Sequence, residues 1–251
     1  MELQELIDAG RFREAETLLR EALNKDDKDA FAWGNLGAVM MMSGNFDEAT
    51  ACILKAMELG EASWHLHYNL GTCFSVRREH EKAIAAYRKA LELDPGQSIV
   101  WRDMGTNFAI LGRYSEALDA MLRAVERDPK KAETWCNIGK VYYRIEDYAA
   151  AARAFSRAAS LMPQDLNVML ALASCQMHLG NFTEAIALLR RALMIDHDNE
   201  FTWRMLGTAY RKAGLFEQGE EVYESLKTLS PKTAEEHFLS ALRGEPGHGM
   251  H

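Results

Sequence analysis

From Ala30 to Thr233 the chain writes one pattern six times at a spacing of 34 residues, with no insertion between copies. Laid one period apart, Trp101 falls on Trp135, Gly105 on Gly139, Tyr114 on Tyr148, Ala117 on Ala151, Ala124 on Ala158 and Pro129 on Pro163. Self-similarity at this length marks short helical units, none of which can bury its apolar face alone. Such units stack on their sequence neighbours, so the expected fold is an all-α solenoid and not a globule. The six copies occupy 30–63, 64–97, 98–131, 132–165, 166–199 and 200–233.

The ends depart from the pattern. Residues 1–29 match only its latter part, with Gly10, Phe12, Ala15, Leu19 and Ala22 in the slots of Gly112, Tyr114, Ala117, Met121 and Ala124. They read as an N-terminal partial repeat that caps the stack. At the other end Thr233 and Glu236 have the spacing of a capping box,. They predict a capping helix over 234–243 that turns Ala234, Phe238, Ala241 and Leu242 toward the last copy. Residues 244–251 read as a flexible tail.

Each copy divides into a helix A, a turn and a helix B. The turn falls at Gly44, Arg78, Gly112, Glu146, Gly180 and Gly214, where glycine supplies the left-handed conformation that ends a helix. A helical period of about 100° per residue gathers repeat positions 4, 7, 8 and 11 on one face of helix A,. In the first copy these are Trp33, Leu36, Gly37 and Met40, facing Ala49, Ile53 and Ala56 of helix B. Small residues at the crossing let the two backbones approach, and the tryptophan is expected to fill the remaining space.

The third copy carries the pattern as Trp101, Met104, Gly105, Phe108, Ala117, Met121, Ala124 and Pro129. The second has Leu70, Gly71, Phe74, Ala83, Tyr87, Ala90 and Pro95, with His67 in the tryptophan slot. This resembles the tetratricopeptide repeat over nearly the whole chain. Met169 and Ala173 in the fifth copy, and Gly219 and Leu226 in the sixth, depart from it. These departures predict a changed crossing angle or a looser joint near the C-terminus. The resemblance implies a right-handed superhelix whose concave surface, lined by A helices, binds extended or helical peptides, and it implies no catalysis.

Opposite the core face, positions 2, 5, 9, 12 and 13 of helix A lie together, with position 6 at their border,. Three features fall there. Position 6 carries a ladder, Asn35, Asn69, Asp103 and Asn137. Helices stacked about 10 Å apart would set one ladder residue against every third residue of a strand that rises about 3.3 Å per residue. The ladder resembles the asparagine ladder in the tetratricopeptide superhelix of O-linked N-acetylglucosamine transferase, which grips peptide backbones; the other reading is that it only supports packing. The second feature is basic: Arg102, Lys140, Arg144, Arg204, Arg211 and Lys212, against Glu133 alone. It either attracts an acidic segment or merely solvates the helices. The third is apolar: Phe31, Tyr68, Met41 and Met42. Met41 and Met42 either line the groove or pack on residues 1–29.

Other chemistry lacks its motifs. The formal charge of −8 argues against a nucleic-acid partner, which needs basic side chains to displace counterions. The eight histidines show no HExxH and no cysteine pairing at metal-ligand spacing, and no phosphate-binding glycine loop occurs,. No metal or cofactor is expected. Cys52, Cys73, Cys136 and Cys175 form no CxxC pair and read as reduced thiols, with Cys136 the one set on the groove,. No apolar run reaches the length of a membrane span, and the acidic, amphipathic N-terminus is unlike a secretory signal,. A cytoplasmic location follows from these as an expectation. The clamp by which family members hold EEVD-type chaperone tails is not matched: the nearest window, Arg102, Thr106 and Asn137, fails at Asn167 and Ala171. The sequence thus points to a non-catalytic scaffold or adaptor that holds an extended acidic peptide in its groove. The alternative is a self-assembling or structural subunit of a larger complex, working through edges and convex face.

Overall fold

The structure, a computed structural model, describes residues 3–232. Those residues form helices joined by short turns, with no strand. A short α1 (Leu3–Asp8) and α2 (Phe12–Lys25) are followed by six A/B pairs. The pairs are α3 (Ala30–Met42) with α4 (Phe46–Glu58), α5 (Trp64–Val76) with α6 (His80–Leu93), and α7 (Ser98–Ile110) with α8 (Tyr114–Arg127). Then come α9 (Ala132–Arg144) with α10 (Tyr148–Leu161), α11 (Leu166–His178) with α12 (Phe182–Ile195), and α13 (Glu200–Lys212) with α14 (Phe216–Leu229). No helix among the described residues is long and apolar enough to cross a membrane. Pro231 and Lys232 are helical; Thr233, Glu236, the expected helix over 234–243 and the segment 244–251 lie outside the described residues.

The chain divides into two compact units, Met1–Pro129 and Lys130–His251. In the first, the core runs from Leu6, Ala15 and Leu19 through Leu36, Met40 and Ile53 to Cys73 and Ala86, with Phe12, Trp33 and Met41 packed against it. In the second, Ala173, Leu189, Leu206, Ala209 and Val222 form one cluster, and Ala151, Phe155, Leu172 and Cys175 another.

The crossing of each pair follows the repeat. Ala49, Ala83, Ala117, Ala151 and Ala185 are all fully buried. A Cβ added at Gly105 would stand 2.7 Å from Met121 Cγ and 3.0 Å from the Ala117 carbonyl oxygen. Only glycine allows that approach. Within each unit an A helix also packs on the B helix before it, as in α2·α3, α4·α5, α6·α7, α10·α11 and α12·α13. A second stripe of A-helix residues is buried at position 10, with Val39, Cys73, Asn107, Cys175 and Ala209 beside these contacts and Val141 on α9 buried as well.

The turn after every A helix is left-handed, with φ of 79° at Gly44, 74° at Gly112, 79° at Gly180 and 76° at Gly214. Arg78 at 62° and Glu146 at 63° adopt it without glycine's freedom. The same hydrogen bonds hold it in each case: Glu79 N donates to Phe74 O at 2.8 Å, as Asn45 N does to Met40 O.

The tryptophans do more than fill space. Trp33, Trp101 and Trp203 are half-buried, and their indole N–H groups donate to the carbonyl six residues earlier: Trp33 to Asp27 at 2.8 Å, Trp101 to Pro95 at 3.0 Å, Trp203 to His197 at 2.7 Å. An indole N–H needs a polar partner, so the ring ties the inter-repeat turn to helix A while Trp33 and Trp203 also pack on the core clusters.

Candidate peptide-binding face

The exposed face of the A helices has a different chemistry in each unit. In the first unit, Asn35 and Asn69 have half-buried side chains. Neither side chain is hydrogen-bonded within the described chain. Asp103, the third ladder position, is engaged: Tyr68 Oη donates to Oδ2 at 3.0 Å and Arg102 Nε to Oδ1 at 2.8 Å. Arg102 is only 12% exposed at its side chain. One basic position and one ladder position therefore neutralise each other. Residues adjacent on a helix do not face each other, but the long arginine side chain folds back far enough to reach.

Tyr68 lies in the same network, not on an open apolar wall. Its ring is 5.9 Å from that of Tyr87 and 6.3 Å from that of Trp64. Burial, with the Asp103 charge behind it, pushes the phenol well above its usual range. Phe31 stands exposed, and Met41 packs on the core. Met42 is 53% exposed and begins a row that the sequence reading did not collect, continued by Val76 at 52% and Ile110 at 59%. All three hold position 13, so their common register was the available signal.

The second unit replaces that row with Arg144, His178 and Lys212. Lys140, Arg144, Arg204 and Lys212 are exposed, and none pairs with a carboxylate among the described residues. Arg204 lies over the Phe201 ring at 5.8 Å. Some surface cations elsewhere are paired, as in Arg20 with Glu16 and Glu48, Arg77 with Asp47 and Glu79, and Arg113 with Glu81 and Glu116. Arg211 is half-buried, and desolvation lowers its pKa from the usual value. Asn137 is half-buried on the same face. Cys136 is half-buried as well, and burial raises its thiol pKa, which disfavours the thiolate.

Among these cations lies a polar–aromatic cluster. Tyr143 Oη is 3.0 Å from Ser174 Oγ and 3.0 Å from His178 Nε2. The His178 ring stacks on Tyr148 at 4.1 Å with 8° between planes, and Tyr143 meets Tyr148 edge-on at 5.2 Å. Sequence reasoning missed it. Ser174, Tyr143 and His178 hold positions 9, 12 and 13, but those positions were read for charge and apolarity only.

A stack of A/B helix pairs with glycine and alanine at the crossing and a variable A-helix face defines the tetratricopeptide-repeat class, and the chain belongs to that family. A tetratricopeptide-repeat model matches residues 6–63, and the model for the C-terminal domain of cilia and flagella-associated protein 70 matches residues 53–242. No curated protein matches the chain in sequence. Among solved structures, it is similar to the C-terminal part of a repeat-containing protein from Cytophaga hutchinsonii, with a TM-score of 0.78 at 15% identity over 94% of this chain and 97% of that one. It is also similar to YrrB, described as a protein of this class with an unusual peptide-binding site, with a TM-score of 0.63 at 20% identity over 73% and 95% of the two chains. A chain of the Cut9–Hcn1 hetero-tetramer of the APC/C aligns at 0.63 and 16% identity, over 96% of this chain and 48% of that one. At these identities the likeness is one of fold.

Proposed function

We propose that this protein is a non-catalytic interaction scaffold that holds an extended acidic segment of a partner protein against α9, α11 and α13. The observation behind this reading is that Lys140, Arg144, Arg204 and Lys212 lack a carboxylate partner among the described residues, in a chain of net charge −8. Cations kept clear of internal partners raise the local anion concentration and act on association rate and selectivity. In the first unit, the open amides of Asn35 and Asn69 can each donate to and accept from a peptide backbone, beside the apolar row of Met42, Val76 and Ile110. YrrB, with its peptide-binding site, is a precedent for the use of this fold.

Fluorescence polarisation with labelled deca-glutamate tests the reading. Wild type should bind, the affinity should fall with added salt, and the triple variant Lys140→Ala/Arg144→Ala/Lys212→Ala should bind at least about tenfold more weakly, since three exposed charge interactions of roughly 0.5 kcal/mol each are removed. Equal binding by the two proteins ends the acidic-segment reading.

A second reading, assembly into a larger complex, is favoured by apolar side chains exposed away from the A-helix face, above all Met194 at 86% and Phe216 at 66%. Light scattering over a concentration series separates the two. A strict monomer argues against self-assembly.

A further inference from the structure

The Tyr143–Ser174–His178 cluster is more than one further polar patch, because its hydrogen bonds form a chain with a direction. Tyr143 Oη has one proton to give and lies 3.0 Å from two acceptors, Ser174 Oγ and His178 Nε2. With His178 neutral and Nε2 unprotonated, Tyr143 donates to the imidazole and Ser174 donates to Tyr143, so both hydroxyl protons are used internally. With His178 protonated, Nε2–H donates to Tyr143 instead. Tyr143 then donates to Ser174, and the Ser174 proton turns outward.

Tyr143 from α9 and Tyr148 from α10 contact His178, and the charges of Glu146 in the α9–α10 turn and Lys212 on α13 act on it. Burial first, and then the Lys212 charge, hold the imidazole below its ordinary pKa, while Glu146 acts the other way. The imidazole is therefore neutral at neutral pH, and its Nδ1–H tautomer carries the inward-directed chain. A carboxylate docked between Lys212 and the imidazole offsets the Lys212 charge and favours His178 in its cationic form.

We propose that Tyr143, Ser174 and His178 form a proton-coupled subsite for one side-chain carboxylate of the bound segment. Binding takes one proton from solvent onto His178 Nε2, reverses the hydrogen-bond chain and points the Ser174 hydroxyl at the ligand. This rests on the acidic-segment reading above and adds a regulation to it: affinity rises as pH falls through the range in which His178 titrates. By linkage, uptake of one proton allows a change of at most about tenfold in affinity per pH unit. Glutamate side chains, with a pKa of about 4.3, stay ionised throughout that range.

The test is calorimetric titration with deca-glutamate at pH about 6 and about 8, in pairs of buffers that differ in ionisation enthalpy. Wild type should bind several-fold more tightly at the lower pH, with net proton uptake at neutral pH. His178→Gln should lose both the pH dependence and the uptake. Tyr143→Phe, which keeps the ring, should reduce both. Proton uptake unchanged in His178→Gln, or wild-type affinity independent of pH, overturns the subsite while leaving the acidic-segment reading intact if binding remains salt-sensitive. Absence of binding at either pH overturns both.

Discussion

Alanine in place of glycine should have opposite effects at two positions. At Gly105 the new Cβ would stand 2.7 Å from Met121 Cγ, 3.0 Å from the Ala117 carbonyl oxygen and 3.3 Å from the Met121 amide nitrogen. The side chain can adjust, but the two backbone atoms belong to α8 and can yield only if the α7–α8 pair spreads. Over-packing of this kind costs about 1–3 kcal/mol, more than the roughly 0.5–1 kcal/mol that alanine returns to a helix interior. The net expectation for Gly105→Ala is a loss of up to about 2 kcal/mol. At Gly219 the nearest atom to a new Cβ is Arg211 Cγ at 3.3 Å, a flexible side chain, and the next is Tyr210 Cβ at 3.9 Å. Gly219→Ala should therefore stabilise, by about 0.5–1 kcal/mol. Urea midpoints from far-ultraviolet circular dichroism measure both, with the slopes compared because repeat arrays need not unfold in one step. A Gly105→Ala midpoint at or above wild type refutes the argument that backbone approach fixes glycine at the crossing.

Other outcomes follow from the same structure. His80 Nδ1 and Asn107 Oδ1 are 2.8 Å apart at positions where other copies place an aromatic ring and a small apolar residue, as in Phe46 with Cys73. His80→Phe should cost about 1–3 kcal/mol by stranding a buried amide, and His80→Phe/Asn107→Val should recover most of it in a denaturation double-mutant cycle. Arg78→Gly removes a left-handed strain of about 1–2 kcal/mol against a glycine entropy cost of roughly 0.5–1 kcal/mol, so the urea midpoint should rise. His67 and His178 are both held below the usual histidine pKa by burial. A depressed histidine pKa gives stability that is present above the unfolded value of about 6.5 and lost as pH falls through the folded one. The midpoint should accordingly drop between pH about 7.5 and about 5.5, and less so in His67→Gln.

The period alone placed the helices, the crossing alanines and the left-handed turns, including Arg78 and Glu146 where glycine is missing. These features depend on spacing within one copy, which a sequence displays directly. What it concealed depends on contacts between copies. The burial of position 10 arises from the preceding B helix, so Asn107 looked like an ordinary polar residue until His80 was found beside it. The Tyr143–Ser174–His178 chain joins α9 to α11 and has no signature in either helix. Arg102 and Asp103 each had the right position for a binding role, and their mutual pairing is a matter of side-chain conformation. The indole bonds to the inter-repeat turns went unread because the bulk of the ring was counted and its N–H was not.

The most direct test is a nitrogen-15 NMR titration of the whole chain with unlabelled deca-glutamate. The account predicts saturable shifts centred on Lys140, Arg144, Ser174, His178, Arg204 and Lys212, reduced by added salt. Shifts confined to the B helices or to the first unit, or none at all, contradict it.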